Sequence, residues 1–343
     1  MNQDKEMEAL LSESNVEELE DSQYNLRPQT LAEFIGQEQI KEQLRIHIEA
    51  AKSRQQALAH ILFVGPPGLG KTTLARIVAN EMGSSFKSAV GPAMERLDLA
   101  TVLTNLEEQG IFFIDEIHRM KGYVQESLYP AMEDYKIDLP IGQGPAADII
   151  TVPLAHFTLV GATTREGLLG GPFRDRFGIR IHLDYYEPED IQVAINRLSY
   201  RMLPPVKIDE DAEYELARRS RGTMRIAENM LRKVRDFATV RFDGVINYEI
   251  AQEALEFFEI DELGLDDNDR NYLRTMIEKF RGRAGLKAMA VAVSEDERTI
   301  EEVYEPYLIK IGFLNLTPLG RVATDAAYEH LGYPKPEYQP TLF

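Results

Sequence analysis

The chain has 343 residues, with 57 acidic against 38 basic side chains and a formal net charge of −19. That length fits about two domains or three small ones, and no apolar run approaches the roughly 18 residues that span a bilayer. The acidic N-terminus lacks the basic and apolar regions of a secretory signal. The absence of cysteine excludes disulfides, thiolate zinc and a cysteine nucleophile, so a reduced, cytoplasmic compartment is expected. A chain this acidic cannot hold nucleic acid by bulk attraction; local basic patches, a partner, or the inner surface of a ring must do it.

Residues 1–25 carry many carboxylates and few large apolar side chains, which predicts a mobile acidic arm. From 26 to 184 short apolar runs alternate with helical stretches: IleLeuPheVal (61–64), IlePhePheIle (111–114) and PheThrLeuVal (157–160), separated by Lys71–Met82 and Leu97–Glu108. Such strands belong to a parallel sheet covered on both faces. Pro140–Pro153 carries a Gly/Pro-rich turn and reads as an inserted hairpin. Residues 185–260 read as helices only: Glu189–Leu203, Glu210–Ser220, Met224–Arg241 and Tyr248–Phe258. Residues 261–266 read as a linker. Asp267–Gly332 gives three helices, an extended ribbon (Gly312–Thr324) and a closing helix, a winged-helix pattern that defines a domain over 261–335, before a Pro-rich loose tail at 336–343.

GlyProProGlyLeuGlyLysThrThr (65–73) fits the P-loop pattern, follows an apolar strand and opens a helix. Gly65, Gly68 and Gly70 let backbone N–H groups turn toward phosphate, and the helix start adds partial positive charge. Lys71 reaches the β- and γ-phosphates, and Thr72 offers its hydroxyl to Mg2+. IlePhePheIleAspGlu (111–116) ends a buried strand in two carboxylates, which is costly unless they meet a cation. Asp115 suits the metal, and Glu116 suits activation of the attacking water. Thr164, at the tip of the third strand, is the expected γ-phosphate sensor. His118 is assigned no chemistry. Three arginines occupy 173–180, where Arg176 is the first candidate for an arginine finger and Arg174 the second; spacing alone favours a surface Arg–Asp pair network. Arg225 opens a helix from which it can report γ-phosphate loss.

These segments, with LeuArgProGlnThrLeuAlaGluPheIleGlyGln (26–37), TyrProAlaMetGluAspTyr (129–135), ArgAspArgPheGlyIle (174–179) and GluProTyrLeuIle (305–309), closely resemble the RuvB family from about Leu26 to Gly332. The resemblance implies an α/β P-loop AAA+ ATPase domain (doubly wound parallel sheet), an α-helical lid domain and a C-terminal winged-helix domain. It implies an ATP- and Mg2+-dependent DNA translocase or helicase that drives Holliday-junction branch migration in recombination and repair. The implied partners are duplex arms of the junction, a RuvA-type junction-binding protein, a RuvC-type resolvase and five further copies in a hexamer.

The resemblance further implies that Leu26, Arg27, Ile35 and Tyr186 flank the adenine, that Gly68, Lys71, Thr72 and Thr73 hold phosphate, that Glu133, Asp134 and Tyr135 lie near a subunit boundary and its nucleotide, that Arg176 acts in trans, and that Arg225 is the second sensor. The hairpin then docks the RuvA-type partner through Ile150 and Val152. Two departures stand out. Met224 replaces the family's proline before the second sensor. The wing reads LeuThrProLeuGlyArg (316–321), where the family carries three arginines. Only Arg321 is left for DNA, which predicts weaker and less salt-sensitive binding by the wing, with Lys310 or Arg283 as compensators. A nucleotide-switched clamp and a protein unfoldase are the competing readings. The first leaves Glu116 without a purpose, and the second lacks an aromatic pore loop around 88–97.

Overall fold

The computed structural model describes residues 27–141, 148–202 and 205–335. The expected acidic arm, Leu26, the hairpin tip and the 336–343 tail lie outside the described residues.

The apolar runs become adjacent strands because such side chains find partners only where both faces are covered. β1 (Ile61–Val64), β2 (Phe86–Val90), β3 (Ile111–Asp115), β6 (Thr158–Thr163) and β7 (Ile179–His182) form one parallel sheet in the order β2-β3-β6-β1-β7. β2 and β7 are its edges and no apolar run announces them; β7 alternates buried and exposed side chains instead. Helix α1 (Glu38–Arg54) packs on α2 (Lys71–Met82), and α2 in turn on β3 and β6. Helices α3 (Arg96–Thr104) and α4 (Gly122–Glu133) bring Leu99, Leu103, Val124 and Leu128 into one cluster with Leu62, Phe112, Ile114 and Leu159. The alternate strand residues Ile61, Phe63, Ile111 and Phe113 are buried as well, so both faces are closed; truncating one such Phe to Ala costs about 3–5 kcal/mol. β4 (Lys136–Ile141) and β5 (Asp148–Pro153) pair antiparallel as the expected hairpin. A single turn, α5 (Gly171–Arg174), precedes β7.

By internal contacts the chain divides into two units. One reaches to Tyr186 and includes Arg197–Pro205; the other comprises Glu187–Asn196 and everything from Val206 onward. Helix α6 (Pro188–Arg201) therefore contributes to both. In the second unit α7 (Glu210–Arg219), α8 (Met224–Arg241) and α9 (Tyr248–Phe257) follow the expected helices closely. Two begin with side-chain caps: Ala212 N–H donates to Asp209 at 2.8 Å and Ile250 N–H to Asn247 at 2.8 Å. Where only helices are expected, two short strands, β8 (Lys207–Ile208) and β9 (Val245–Ile246), pair in parallel. Each is two residues long, too short to leave a periodicity.

The winged part follows: α10 (Asp267–Phe280), β10 (Arg283–Ala284), α11 (Leu286–Val293), α12 (Glu297–Thr299) running through a π-turn into α13 (Glu305–Lys310), the ribbon β11 (Leu314–Thr317) and β12 (Gly320–Ala323), and α14 (Asp325–His330). Asp266 and Asp269 form a reciprocal capping box at the start of α10. Tyr272, Leu273, Met276, Met289, Ile300, Leu308 and Leu314 make its core.

The expected linker at 261–266 is densely bonded. Asp261 accepts from the N–H groups of Leu263 (2.9 Å) and Leu265 (2.8 Å), while His330 Nε2 lies 2.8 Å from its other oxygen. Arg221 donates to the Gly264 carbonyl at 2.7 Å, pairs with Asp269 at 2.5 Å and stacks over Tyr307. Gly264 has φ +77°, and a Cβ there would stand 2.0 Å from the Arg219 carbonyl oxygen.

Candidate functional site

The loop between β1 and α2 turns on glycine. Gly65, Gly68 and Gly70 have φ of 152°, 79° and 91°, values that side chains other than glycine's resist. A Cβ on Gly65 would lie 2.7 Å from the Leu183 carbonyl oxygen. Lys71 is buried and its Nζ donates to the carbonyls of Gly65 (2.7 Å) and Pro66 (2.8 Å). Thr72 and Thr73 follow, half-buried in the first turn of α2. A glycine loop with a lysine folded over it and a helix start behind it make an anion cradle.

Beside the cradle stand Phe34 and Tyr186, with ring centroids 6.5 Å apart. The Tyr186 hydroxyl donates to the Leu69 carbonyl at 2.9 Å. A Cβ on Gly70 would stand 3.1 Å from the Phe34 ring, so the aromatic pair reaches the phosphate loop itself. Lys41 donates to the Phe34 carbonyl at 2.8 Å. Ile35 and Arg27 are half-buried in the same N-terminal segment. Phe34 was not among the expected residues; its spacing in LeuAlaGluPheIle gives no sign that it turns toward Gly70.

At the end of β3, Glu116 adopts the left-handed conformation with φ 48°, and a Cβ on Gly91 would sit 2.5 Å from its carbonyl. Strain of this kind persists only where surroundings enforce it and concentrates at functional positions. The Glu116 N–H donates to Asp115 Oδ1 at 2.9 Å. The Glu116 carboxylate lies 3.2 Å from Nδ1 of His118, while Thr164 Oγ1 reaches toward it at 3.5 Å. His118 Nδ1 also lies 2.9 Å from Thr163 Oγ1, and the Arg165 N–H donates to that same hydroxyl oxygen at 3.0 Å. The structure thus gathers Asp115, Glu116 and Thr164 on neighbouring strand ends, and adds His118. The sequence carried one signal for His118, its place two residues beyond a carboxylate.

Among the described residues no cluster of three or more His, Asp or Glu is arranged to hold a metal by itself. A threonine hydroxyl and one strand-end carboxylate suit Mg2+, which keeps several waters and binds through few protein ligands together with phosphate oxygens. The donor set present fits that ion.

Phe173 and Phe177 are buried and pack edge-on at 5.4 Å, which pins the segment carrying the two arginines. Arg176 pairs with Glu133 at 3.0 Å, lies 4.2 Å over the Tyr129 ring and donates to the Pro172 carbonyl. Its Nε, like that of Arg174, is buried without a partner among the described residues. Glu133, Asp134 and Tyr135 occupy the end of α4 and the turn after it, Tyr135 with φ 50°. Asp134 pairs with Lys136 at 2.9 Å. Burial and the charge of Glu108 raise the Tyr135 hydroxyl. In the second unit Arg225 stands at the second position of α8, after Thr223 and Met224.

On the hairpin, Ile150 is half exposed at 49 %, whereas Val152 is partly buried against the large core. Among the described residues there, Ile149 is more exposed, at 69 %. The wing departs further from a phosphate-binding loop. Arg321 donates from Nε to Glu305 at 2.6 Å and from Nη2 to Glu301 at 3.1 Å. Glu305 also accepts from Tyr272 at 2.9 Å, and burial raises that hydroxyl far above its ordinary range. The one wing arginine is thus spent inward, and the ribbon tip presents Leu316 (57 % exposed) and Leu319 (76 %).

Three family models match in chain order: the Holliday junction DNA helicase RuvB P-loop domain over residues 26–183, the RuvB AAA lid domain over 186–261, and the RuvB C-terminal winged helix domain over 262–332. Among solved structures, RuvB of Thermotoga maritima, described as the Holliday junction branch migration motor, is 45 % identical, covers 91 % of this chain and 99 % of its own, and superposes with a TM-score of 0.83. A lysine-to-arginine variant of that protein matches with the same identity and a TM-score of 0.84, over 91 % of this chain and 99 % of its own. A proline-to-glycine variant covers 90 % of this chain and all of its own, at 45 % identity and a TM-score of 0.83.

Proposed function

The chain belongs to the RuvB family, and from that premise we propose how its own residues run the motor. It is an ATPase that acts on Holliday junctions, converting ATP hydrolysis into branch migration. The observation that carries the assignment of roles is the convergence of Asp115, Glu116 and Thr164 at neighbouring strand ends, in the sheet whose β1 runs into the glycine cradle.

In our reading ATP lies with its adenine between Leu26, Arg27, Ile35 and Tyr186 and its phosphates on Gly65–Thr73. Lys71 exchanges its bonds to the Gly65 and Pro66 carbonyls for the β- and γ-phosphates. Thr72 and Asp115 would hold Mg2+, which would supply charge to offset that of the phosphates. Glu116 orients a water and takes its proton as the oxygen attacks the γ-phosphorus. The bond to the bridging oxygen breaks, leaving ADP and phosphate. Thr164 contacts the γ-phosphate and, through Glu116, reports its presence. His118 keeps the Glu116 carboxylate aimed.

We assign Arg176 to the nucleotide of a neighbouring subunit, with Arg174 in support and Glu133 as its resting partner. An arginine finger contributes about 10³–10⁵ in rate. This implies a ring, and six copies is the family's number. Arg225 senses hydrolysis from the lid. The hairpin docks a RuvA-type partner through Ile150, with Ile149 more available than Val152; a RuvC-type resolvase acts downstream, and the cytoplasm is the compartment. Among the described residues no helix is long and apolar enough to cross a membrane.

The inward-held Arg321 favours a second reading, a nucleotide-switched clamp with weak DNA grip. ATP-dependent migration of a synthetic four-way junction, with and without the RuvA-type partner, decides between them. Strand exchange that needs ATP and Glu116 supports the motor. ATP binding without migration, even with the partner present, supports the clamp.

A further inference from the structure

The winged part holds four basic residues in nine positions, Lys279, Arg281, Arg283 and Lys287, with no carboxylate among them. All four are exposed, and among the described residues none is engaged in an ion pair or side-chain hydrogen bond. The nearest acid in sequence, Glu278, accepts from the Tyr333 hydroxyl.

The backbone fixes this stretch against the wing. Arg281 caps α10 in the left-handed conformation, φ 54°. Gly282 follows with φ +80° and no room for a Cβ, which would lie 2.3 Å from the Tyr328 hydroxyl. β10 then pairs with β12, Arg283 opposite Val322 and Ala284 opposite Arg321. Opposed residues in an antiparallel pair share a face, and successive residues alternate. Arg283 therefore lies in line with Val322 and, across the next pairing, Asn315. Arg321 shares the other face with the buried Ala284, and its charge is spent on Glu301 and Glu305.

We propose that Lys279, Arg281, Arg283 and Lys287 form the phosphate-binding edge of the winged domain and carry the duplex contact that the wing has lost. The ligand is the sugar–phosphate backbone of duplex DNA, held by charge rather than by base reading. This rests on the motor assignment and adds to it the place where DNA is gripped. A free cationic edge on a chain of net charge −19 is where an anionic polymer meets least repulsion.

The experiment is fluorescence anisotropy of full-length protein with a labelled four-way junction, titrated over a series of KCl concentrations. R281A/R283A/K287A should flatten the plot of log affinity against log salt by about 2.7 units of slope, about 0.9 per lost contact. R281K/R283K, which keeps the charges, should retain the wild-type slope. K52A/R54A, which removes charge from α1, should also retain it. Thermal unfolding at the wild-type midpoint verifies that the triple variant is folded. If the wild type binds DNA and the triple variant keeps its slope, this proposal fails while the motor assignment stands. If the wild type binds no DNA at any salt concentration, the motor assignment fails and takes the proposal with it.

Discussion

The buried ring of His118 stands 3.2 Å from the Glu116 carboxylate and 2.9 Å from the Thr163 hydroxyl. The water-activating candidate is thus held from one side by a histidine and from another by Thr164, on a residue whose own backbone is left-handed.

Replacing Glu116 by Gln should lower ATP turnover about 10²- to 10⁴-fold, the usual share of a general base, while nucleotide affinity stays near the wild-type value. Steady-state hydrolysis and equilibrium binding of a fluorescent nucleotide read the two separately. Unchanged hydrolysis would remove Glu116 from the mechanism.

His118→Ala should reduce kcat by about 10- to 100-fold with little change in KM, since a carboxylate displaced by an ångström loses its aim. His118→Asn, which keeps a polar group near the position of Nδ1, should recover part of the loss. A structural role alone predicts a lowered Tm for both variants and no split between kcat and KM.

Arg176→Ala should abolish turnover as severely as Glu116→Gln does. Mixed in equal amounts, the two inactive variants should regain activity, because some boundaries then pair an intact Arg176 with an intact Glu116. A mixture that stays inactive would place Arg176 in its own subunit's site or outside catalysis.

Asp269 is 1 % exposed and lies 2.5 Å from Arg221. Burial pushes its carboxyl up to about 6, against the pull of Arg221. The unfolded carboxyl titrates near 3.9, so between about pH 4 and 6 the folded chain holds this proton more tightly. Its contribution to stability is therefore largest at the acid end, declines as pH rises through that window and is level above it. The unfolding free energy of wild type minus that of D269N should fall between pH 4 and 6 and then flatten. A difference that rises with pH would contradict the assignment.

Restoring arginines at the ribbon tip, L316R/L319R, should steepen the salt dependence of DNA binding by about 1.8 units of slope. An unchanged slope would mean that the tip does not approach the duplex at all.

Much of this architecture is written in local patterns. The central strands are continuous apolar runs, and the phosphate loop is a motif whose glycines and lysine stand within seven residues. Edge strand β7 escaped because it alternates rather than saturates, and β2 because none of its side chains is fully buried. The Arg321–Glu305 pair escaped because its partners are 16 residues apart and meet only once a helix and a ribbon have packed. Arg321 therefore reads as a DNA contact from the loop around it and as an internal charge from its fold. The left-handed Glu116 and the turn of Phe34 toward Gly70 likewise depend on neighbours distant in sequence.

The crowding at Gly264 has a mechanical meaning. The Arg219 carbonyl occupies the place of a side chain, and Arg221 bolts the same turn to Asp269. Such a joint has little torsional compliance. We therefore expect a rotation of the lid helices to carry the ribbon with it rather than to be absorbed at the pivot.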